Sequence, residues 1–490
     1  IIVGAYLFNN GQGGEGVAFI YHGSAGGINN TMAAILESNQ LGANLGVSVA
    51  CAGDINGDGY SDVLAGANNY DNVENNEGAV YVFMGSATGI STVPAAILET
   101  NQDNAQFGRS VSSAGDVNGD GYSDIIAGAP QYDNLLSNEG AAFIFHGSAA
   151  GISVAHSTAT TCAQVNSSFG FAVASAGDIN ADGYSDVVVG AVLYDNGLAD
   201  EGAVFIFHGT AAGLNPVIAA TIAGNQVTAR FGHAVASAGD VNGDGFSDII
   251  VGATLFDNGT TDEGAAFVYH GSAAGIVTTA ATTLDNGQAN SNMGISVASA
   301  GDVNGDGYSD VIVGANQYDN ELTDEGAAFV YHGSATGINP VAAAIREGDQ
   351  LSARFGRSVS TAGDVNGDGF ADVIIGSALF NNDQTDEGAA FIFHGSPTGI
   401  AATAASLLEV NQANAWFGLS VSAAGDVNGD GYADVIVGAP LYDNNETNEG
   451  LAYVFHGSAT GIVTAAATVL EVNQANANFG GYVSAAGDVN

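Results

Sequence analysis

Residues 426–434 read DVNGDGYAD, and the same nine-residue frame appears as DINGDGYSD at 54–62 and again from 116, 178, 240, 302 and 364. In each copy side-chain oxygens stand at positions 1, 3, 5 and 9, and position 7 can offer its backbone carbonyl. Glycine at position 6 permits the sharp turn that wraps a chain around a point. Carboxylate, amide and carbonyl oxygens in a flexible cage suit Ca²⁺ better than Mg²⁺ or zinc. No glutamate stands at position 12 and no helices flank the loop, so the pattern describes a static metal loop on a β-hairpin, not a helix pair that opens and closes.

The expected donors can be named loop by loop. They are Asp54, Asn56, Asp58 and Asp62 with the Tyr60 carbonyl; Asp116, Asn118, Asp120 and Asp124 with Tyr122; and Asp178, Asn180, Asp182 and Asp186 with Tyr184. Asp240, Asn242, Asp244 and Asp248 follow with Phe246, then Asp302, Asn304, Asp306 and Asp310 with Tyr308. The last two sets are Asp364, Asn366, Asp368 and Asp372 with Phe370, and Asp426, Asn428, Asp430 and Asp434 with Tyr432. About seven Ca²⁺ sites are therefore expected. Ala181 replaces glycine at position 4 of the third loop, yet that loop keeps every oxygen donor. Three carboxylates gathered without a cation would repel one another. At millimolar calcium each weak extracellular-type site would add on the order of 1 kcal/mol of stability.

The loops recur every 62 residues without insertion or deletion, and so do a Glu-Gly pair first seen at 15 and a [FLM]-G pair first seen at 45. A single unit, 107–168, contains four short strand-like runs divided by Gly, Asn, Asp and Ser turns, with no helical periodicity. Runs such as VFIF at 204–207 are apolar on consecutive residues, as strands buried on both faces require. The expected fold is all-β: a propeller of eight four-stranded blades, read as one domain over 1–490. The chain stops six residues short of eight full repeats, and IIVGA at its start aligns with VIVGA at 435–439. The eighth blade would thus be split, formed by 1–44 and 479–490, which removes exposed sheet edges. Two other readings stay open: a boundary cut inside a longer array, or molecules that complete each other's split blade.

Composition narrows function. The chain has 52 acidic residues against five arginines, no lysine, and a formal charge of −47. Such a surface repels phosphate backbones and anionic lipids, which disfavours nucleic-acid partners and membrane surfaces. No apolar run is long enough to span a bilayer, so no membrane insertion is expected. The chain starts at Ile1 with no signal-like segment, which suggests a removed leader or a piece of something longer. Cys51 and Cys162 occupy unlike places in the repeat and are expected to be small buried or half-buried thiols, not a disulfide framework.

At this point the residues resemble a known family, the FG-GAP repeats of the integrin α-subunit β-propeller. Phe107-Gly108 supplies FG, Gly128-Ala129-Pro130 and Gly438-Ala439-Pro440 supply GAP, and the acidic loop lies between them. The resemblance covers essentially the whole chain. It implies calcium in the hairpin between the first two strands of each blade and an extracellular adhesion or recognition role. The family's usual ring has seven blades, and Asn68, Val192, Thr254, Asn316 and Ala378 stand where GAP has proline.

Four arginines, Arg109, Arg230, Arg354 and Arg357, flank the [FLM]-G pair on the face away from the calcium loops, with Arg346 just before it. They are candidates for a ligand-contacting patch, although pairing with nearby carboxylates is the simpler expectation. Histidines at 22, 146, 208, 270, 332, 394 and 456, with Met84 in the remaining slot, are expected to bond the GSxxGI turns. Sequons at Asn29, Asn166, Asn258 and Asn445 would allow glycosylation. No catalytic constellation is present, so no enzyme is expected. The sequence points to a secreted or cell-surface calcium-binding adhesion or structural module whose partners are extracellular proteins or glycans, or copies of itself. A carbohydrate-binding lectin and a subunit of an extracellular filament are the alternatives.

Overall fold

A computed structural model describes all residues 1–490. It contains 32 strands and no α-helix, arranged as eight four-stranded antiparallel sheets. The blade that begins with Ser110–Gly115 continues through Asp124–Ala129 and Ala141–Phe145 to Thr158–Thr160, paired in chain order. Counting blades from the one that begins with Ser48–Gly53, this is the second. The first strands of successive blades pack side by side in a closed series and line the centre of the ring.

The split blade forms as the sequence predicts. Tyr482–Ser484 pairs antiparallel with Ile2–Gly4, and Val17–Ile20 and Ala34–Glu37 complete that sheet. Closure in this chain is therefore intramolecular. Tyr482–Ser484 also packs against its neighbours on both sides, Ser420–Gly425 and Ser48–Gly53.

Period-two alternation sorts each blade's apolar residues onto two faces, and both are buried. From the second blade, Ile125, Ala127, Phe143 and Phe145 pack back on Leu64, Val80 and Val82, whereas Ile126, Ala142 and Ile144 pack forward on Phe169, Val187 and Phe205. Eight such inter-blade cores exist, and the closing one joins Val3, Phe19 and Tyr21 to Ile436, Val454 and Phe479. Burial on the scale of ~2 kcal/mol per large side chain makes these interfaces the main stabilising element.

The FG and GAP glycines share one physical cause. Gly108 has φ 83°, and its carbonyl oxygen lies where a Cβ on Gly66 of the preceding blade would be, 2.0 Å from it. Gly128 meets Gly170 in the same way, also at 2.0 Å. Backbones cross so closely here that neither glycine has room for a side chain.

A second contact runs around the whole ring. Gln164 of one blade donates from Nε2 to the Asp195 carbonyl of the next at 2.6 Å, while Asp195 N–H donates back to its Oε1 at 2.5 Å. Equivalent pairs recur at every inter-blade junction, from Gln40 with Asp71 to Gln474 with Asn9. The side-chain amide thus behaves as an extra peptide group, which explains the repeated NQ and YDN motifs.

Candidate metal centre

Each acidic loop joins the first strand of a blade to its second. In the second loop, Asp116 Oδ1 accepts from Gly119 N at 2.6 Å and Asp120 N at 3.2 Å, and its Oδ2 accepts from Gly121 N at 2.8 Å. Asn118 Oδ1 accepts from Asp120 N at 2.8 Å, and Asp120 Oδ1 from Tyr122 N at 3.1 Å. The turn's own amides therefore hold the first three donors, an arrangement typical of Asx turns. This weakens the expectation that the carboxylates could not coexist without a cation, because backbone N–H groups offset part of their repulsion.

Position 9 is different. Asp124 is fully buried, with Oδ2 accepting from Val117 N at 2.9 Å and Oδ1 from Gly147 N at 2.9 Å. It stitches the loop to the end of the third strand. Burial raises its pKa to about 7 against the pull of those two amides, and the charges of Asp120 and Asp116 raise it further. Asp186, Asp248, Asp310 and Asp372 are raised to about 7 and Asp62 to about 6 for the same reasons, burial first.

The donor chemistry fits a hard cation. Every side-chain donor is oxygen, and a carboxylate oxygen that accepts one N–H keeps a second lone pair. The position-7 carbonyls, from Tyr60 through Tyr432, accept no hydrogen bond at all. The side chains are nevertheless not gathered into a cage: no group of three or more His, Cys, Asp or Glu is placed to hold a metal ion by itself. Ala181 bears the cost of its side chain, with φ 54° and no bond from its N–H to Asp178, whereas Gly119 makes the equivalent bond. The loops are also linked to one another: Ser123 N donates to the Asp54 carbonyl of the preceding blade at 2.9 Å, and Ser185 N to that of Asp116 at 2.9 Å.

The histidine series needs correction. Nε2 of His22, His146, His208, His270, His332, His394 and His456 is buried without a partner, so these rings do not bond the GSxxGI turns. They pack on them instead: the His146 ring fills the space where Gly213 of the next blade lacks a Cβ, 2.3 Å away. Burial lowers the pKa of His146, and the nearby Asp120 and Asp116 charges oppose that shift.

The arginines also depart from expectation. The one ion pair is Arg354 with Asp324 at 3.3 Å. Arg109 lies over the Phe171 ring at 5.0 Å, and Arg346 donates to the Ala401 and Ile400 carbonyls at 2.9 Å. Arg230 and Arg357 have no carboxylate partner. Since the first strand carries the acidic loop at its far end, these cations sit on the opposite face of the disc. Sequence reasoning also missed the glutamates of the Glu-Gly pairs. Glu77 is fully buried, with one oxygen accepting from Asn72 N at 2.8 Å and the other without a partner, and burial raises its pKa to about 7. Their repetition beside the YDN loop was the available signal. Cys51 and Cys162 are free and half-buried, as expected.

Comparison with known proteins agrees with this architecture. The FG-GAP repeat family matches residues 46–83, 107–145, 169–207, 231–269, 293–331, 355–393 and 417–455. Integrin alpha-V of Gallus gallus is 32% identical over 247 residues, covering 49% of this chain and 23% of that protein. Integrin alpha pat-2 of Caenorhabditis briggsae is 30% identical over 284 residues, covering 52% and 22%. Integrin alpha-3 of Cricetulus griseus is 36% identical over 165 residues, covering 32% and 15%. The matched part therefore spans less than a quarter of each relative. With its repeats matched over more than half its length and folded as eight blades, the chain belongs to the FG-GAP repeat family.

Proposed function

We propose that this protein is a calcium-binding β-propeller that acts outside the cell or at its surface as an adhesive or structural interaction module, without enzymatic activity. The observation that supports it most is the free position-7 carbonyl in every complete acidic loop, beside three carboxylates and an amide oxygen. The integrin alpha names of its relatives support the adhesion reading.

Bound Ca²⁺ would supply the positive charge these oxygen clusters lack. Asp116, Asn118, Asp120, Asp124 and the Tyr122 carbonyl would hold it, Asp124 also anchoring the loop to the end of the third strand. The chain's own bonds then spread the effect, because each loop donates to the loop of the preceding blade. Rigid loops on one face would fix the blade angles and so the shape of the opposite, ligand-facing surface. The test is a single-loop substitution: Asp120→Ala should lower bound calcium by one ion per chain, measured by elemental analysis after equilibrium dialysis. An unchanged stoichiometry would remove that loop from the set.

A second reading, a carbohydrate-binding module, is favoured by one observation. Trp416, the single tryptophan, is 37% exposed and lines a cleft on the face opposite the acidic loops.

A further inference from the structure

The residue after each [FLM]-G pair forms a ring around the mouth of the central channel. Arg109, Phe171, His233, Ile295 and Arg357 belong to this ring, and in an eight-blade circle Arg109 and Arg357 stand on opposite sides. The contacts support that placement: Arg109 covers Phe171, whose ring lies 5.5 Å from that of His233. His233, Arg357 and Tyr482 line one cavity of about 500 Å³ at the mouth. No acidic residue occupies the ring. In a molecule of charge −47, two of the arginines without an ion pair, Arg109 and Arg357, thus stand at this opening.

Beside the mouth, between the fifth, sixth and seventh blades, lies a second cleft of about 330 Å³ that shares Arg357, Trp416 and Leu419 with it. Its other polar walls are Asn292, Asn316, Gln317 and Arg354. Arg354 is already held by Asp324, and with the Gln317 amide turned over, which satisfies both its atoms, the side-chain oxygen would accept from Arg354 Nη1 at 2.5 Å. Arg357 is the cation with nothing to neutralise it. Arg354 and Trp416 have φ of 59° and 55°, the left-handed backbone that the equivalent residue of every blade adopts, from Asn44 to Asn478.

We propose that this cleft binds a uronate, an acidic sugar unit of a glycan. The inference rests on the carbohydrate-binding reading above and names its ligand class. The Arg357 guanidinium would take the carboxylate, Asn292, whose Nδ2 donates to Asn316 Oδ1 at 3.1 Å, keeps its own side-chain oxygen for a sugar hydroxyl, and the exposed indole offers a flat apolar face. The cleft's volume suits a sugar ring, whereas an extended peptide needs a groove or a free sheet edge with successive pockets. Overall negative charge does not prevent this, because beyond about 8 Å it is screened at physiological salt and the local arginine decides.

The test uses the full chain in millimolar calcium with digalacturonate as probe, read by saturation-transfer NMR and calorimetry. The neutral galactose disaccharide of the same linkage and an Asp-Glu-Asp peptide serve as comparisons. Digalacturonate should bind, with the neutral sugar and the peptide at least roughly tenfold weaker. Arg357→Gln and Trp416→Ala should each weaken it by roughly tenfold, Arg357→Lys should restore part of the loss, and Arg109→Gln should change nothing. Binding that survives Arg357→Gln, preference for the peptide, or no uronate binding would each overturn the inference. The two sugars separate the failures: neutral disaccharide bound as tightly as digalacturonate sinks only this inference, and a chain that binds neither sinks the carbohydrate-binding reading with it.

Discussion

Gln474 donates from its side-chain amide to the carbonyl of Asn9 at 2.5 Å and accepts from the Asn9 N–H, although the two residues are 465 positions apart. This pair is the last of the ring-wide Gln contacts and ties the seventh blade to the N-terminal part of the split blade, beside the bond from Thr468 Oγ1 to the Ile28 carbonyl at 2.8 Å. Within the array, the same bond joins units already tied by the chain. At the closure it joins its two ends.

Gln474→Ala should therefore act differently from Gln226→Ala, which breaks the Gln226–Asp257 pair inside the array. Each should lower stability by about 1–2 kcal/mol, since two hydrogen bonds are lost at a partly exposed site. Hydrogen exchange distinguishes them. Gln474→Ala should speed exchange in Ile2–Ala5 and Tyr482–Ser484 at conditions where Gln226→Ala leaves those strands protected.

Close glycine contacts give a second prediction. Gly128→Ala would drive a Cβ to within 2.0 Å of the Gly170 carbonyl oxygen, backbone that cannot swing away. It should cost about 3 kcal/mol or more by denaturant unfolding. Ala181→Gly should do the opposite and stabilise by about 1 kcal/mol, because it relieves a left-handed alanine and frees its N–H to bond Asp178.

How far the sequence was legible follows from what repeats. The period of 62, the four runs per unit and the split blade were readable because a repeat writes its own register: IIVGA had to occupy the place of VIVGA. The acidic loops were readable because their donors are local in the chain. Contacts between blades were not. Nothing in the sequence says that the His146 ring points at Gly213 or that Gln164 reaches Asp195, since both partners lie in the next unit. The arginines misled for a related reason. Abundant carboxylates suggested pairing, yet the ring places Arg109 and Arg357 at the channel mouth, away from the acidic loops.

His233 offers a pH test. It is half-buried at the mouth with its Nδ1 shielded and unpartnered, and burial first, then the charges of Arg230, Arg357 and Arg109, lower its pKa to about 4. The unfolded chain takes up this proton near pH 6.5, so the neutral ring's contribution is complete above that pH and is lost as pH falls toward 4. The stability of the wild type relative to His233→Gln should fall by up to roughly 3 kcal/mol between pH 7 and pH 4. A constant difference across that range would mean that the imidazole is not held neutral.

The central claim is that the oxygen-lined loops bind calcium and thereby stiffen the closed ring. Calcium retained per chain after equilibrium dialysis at millimolar free Ca²⁺, with melting temperature recorded before and after EGTA, tests it most directly. The account predicts about seven ions per chain and a melting temperature several degrees higher with calcium than without. No retained calcium, together with identical melting in EGTA, would contradict it.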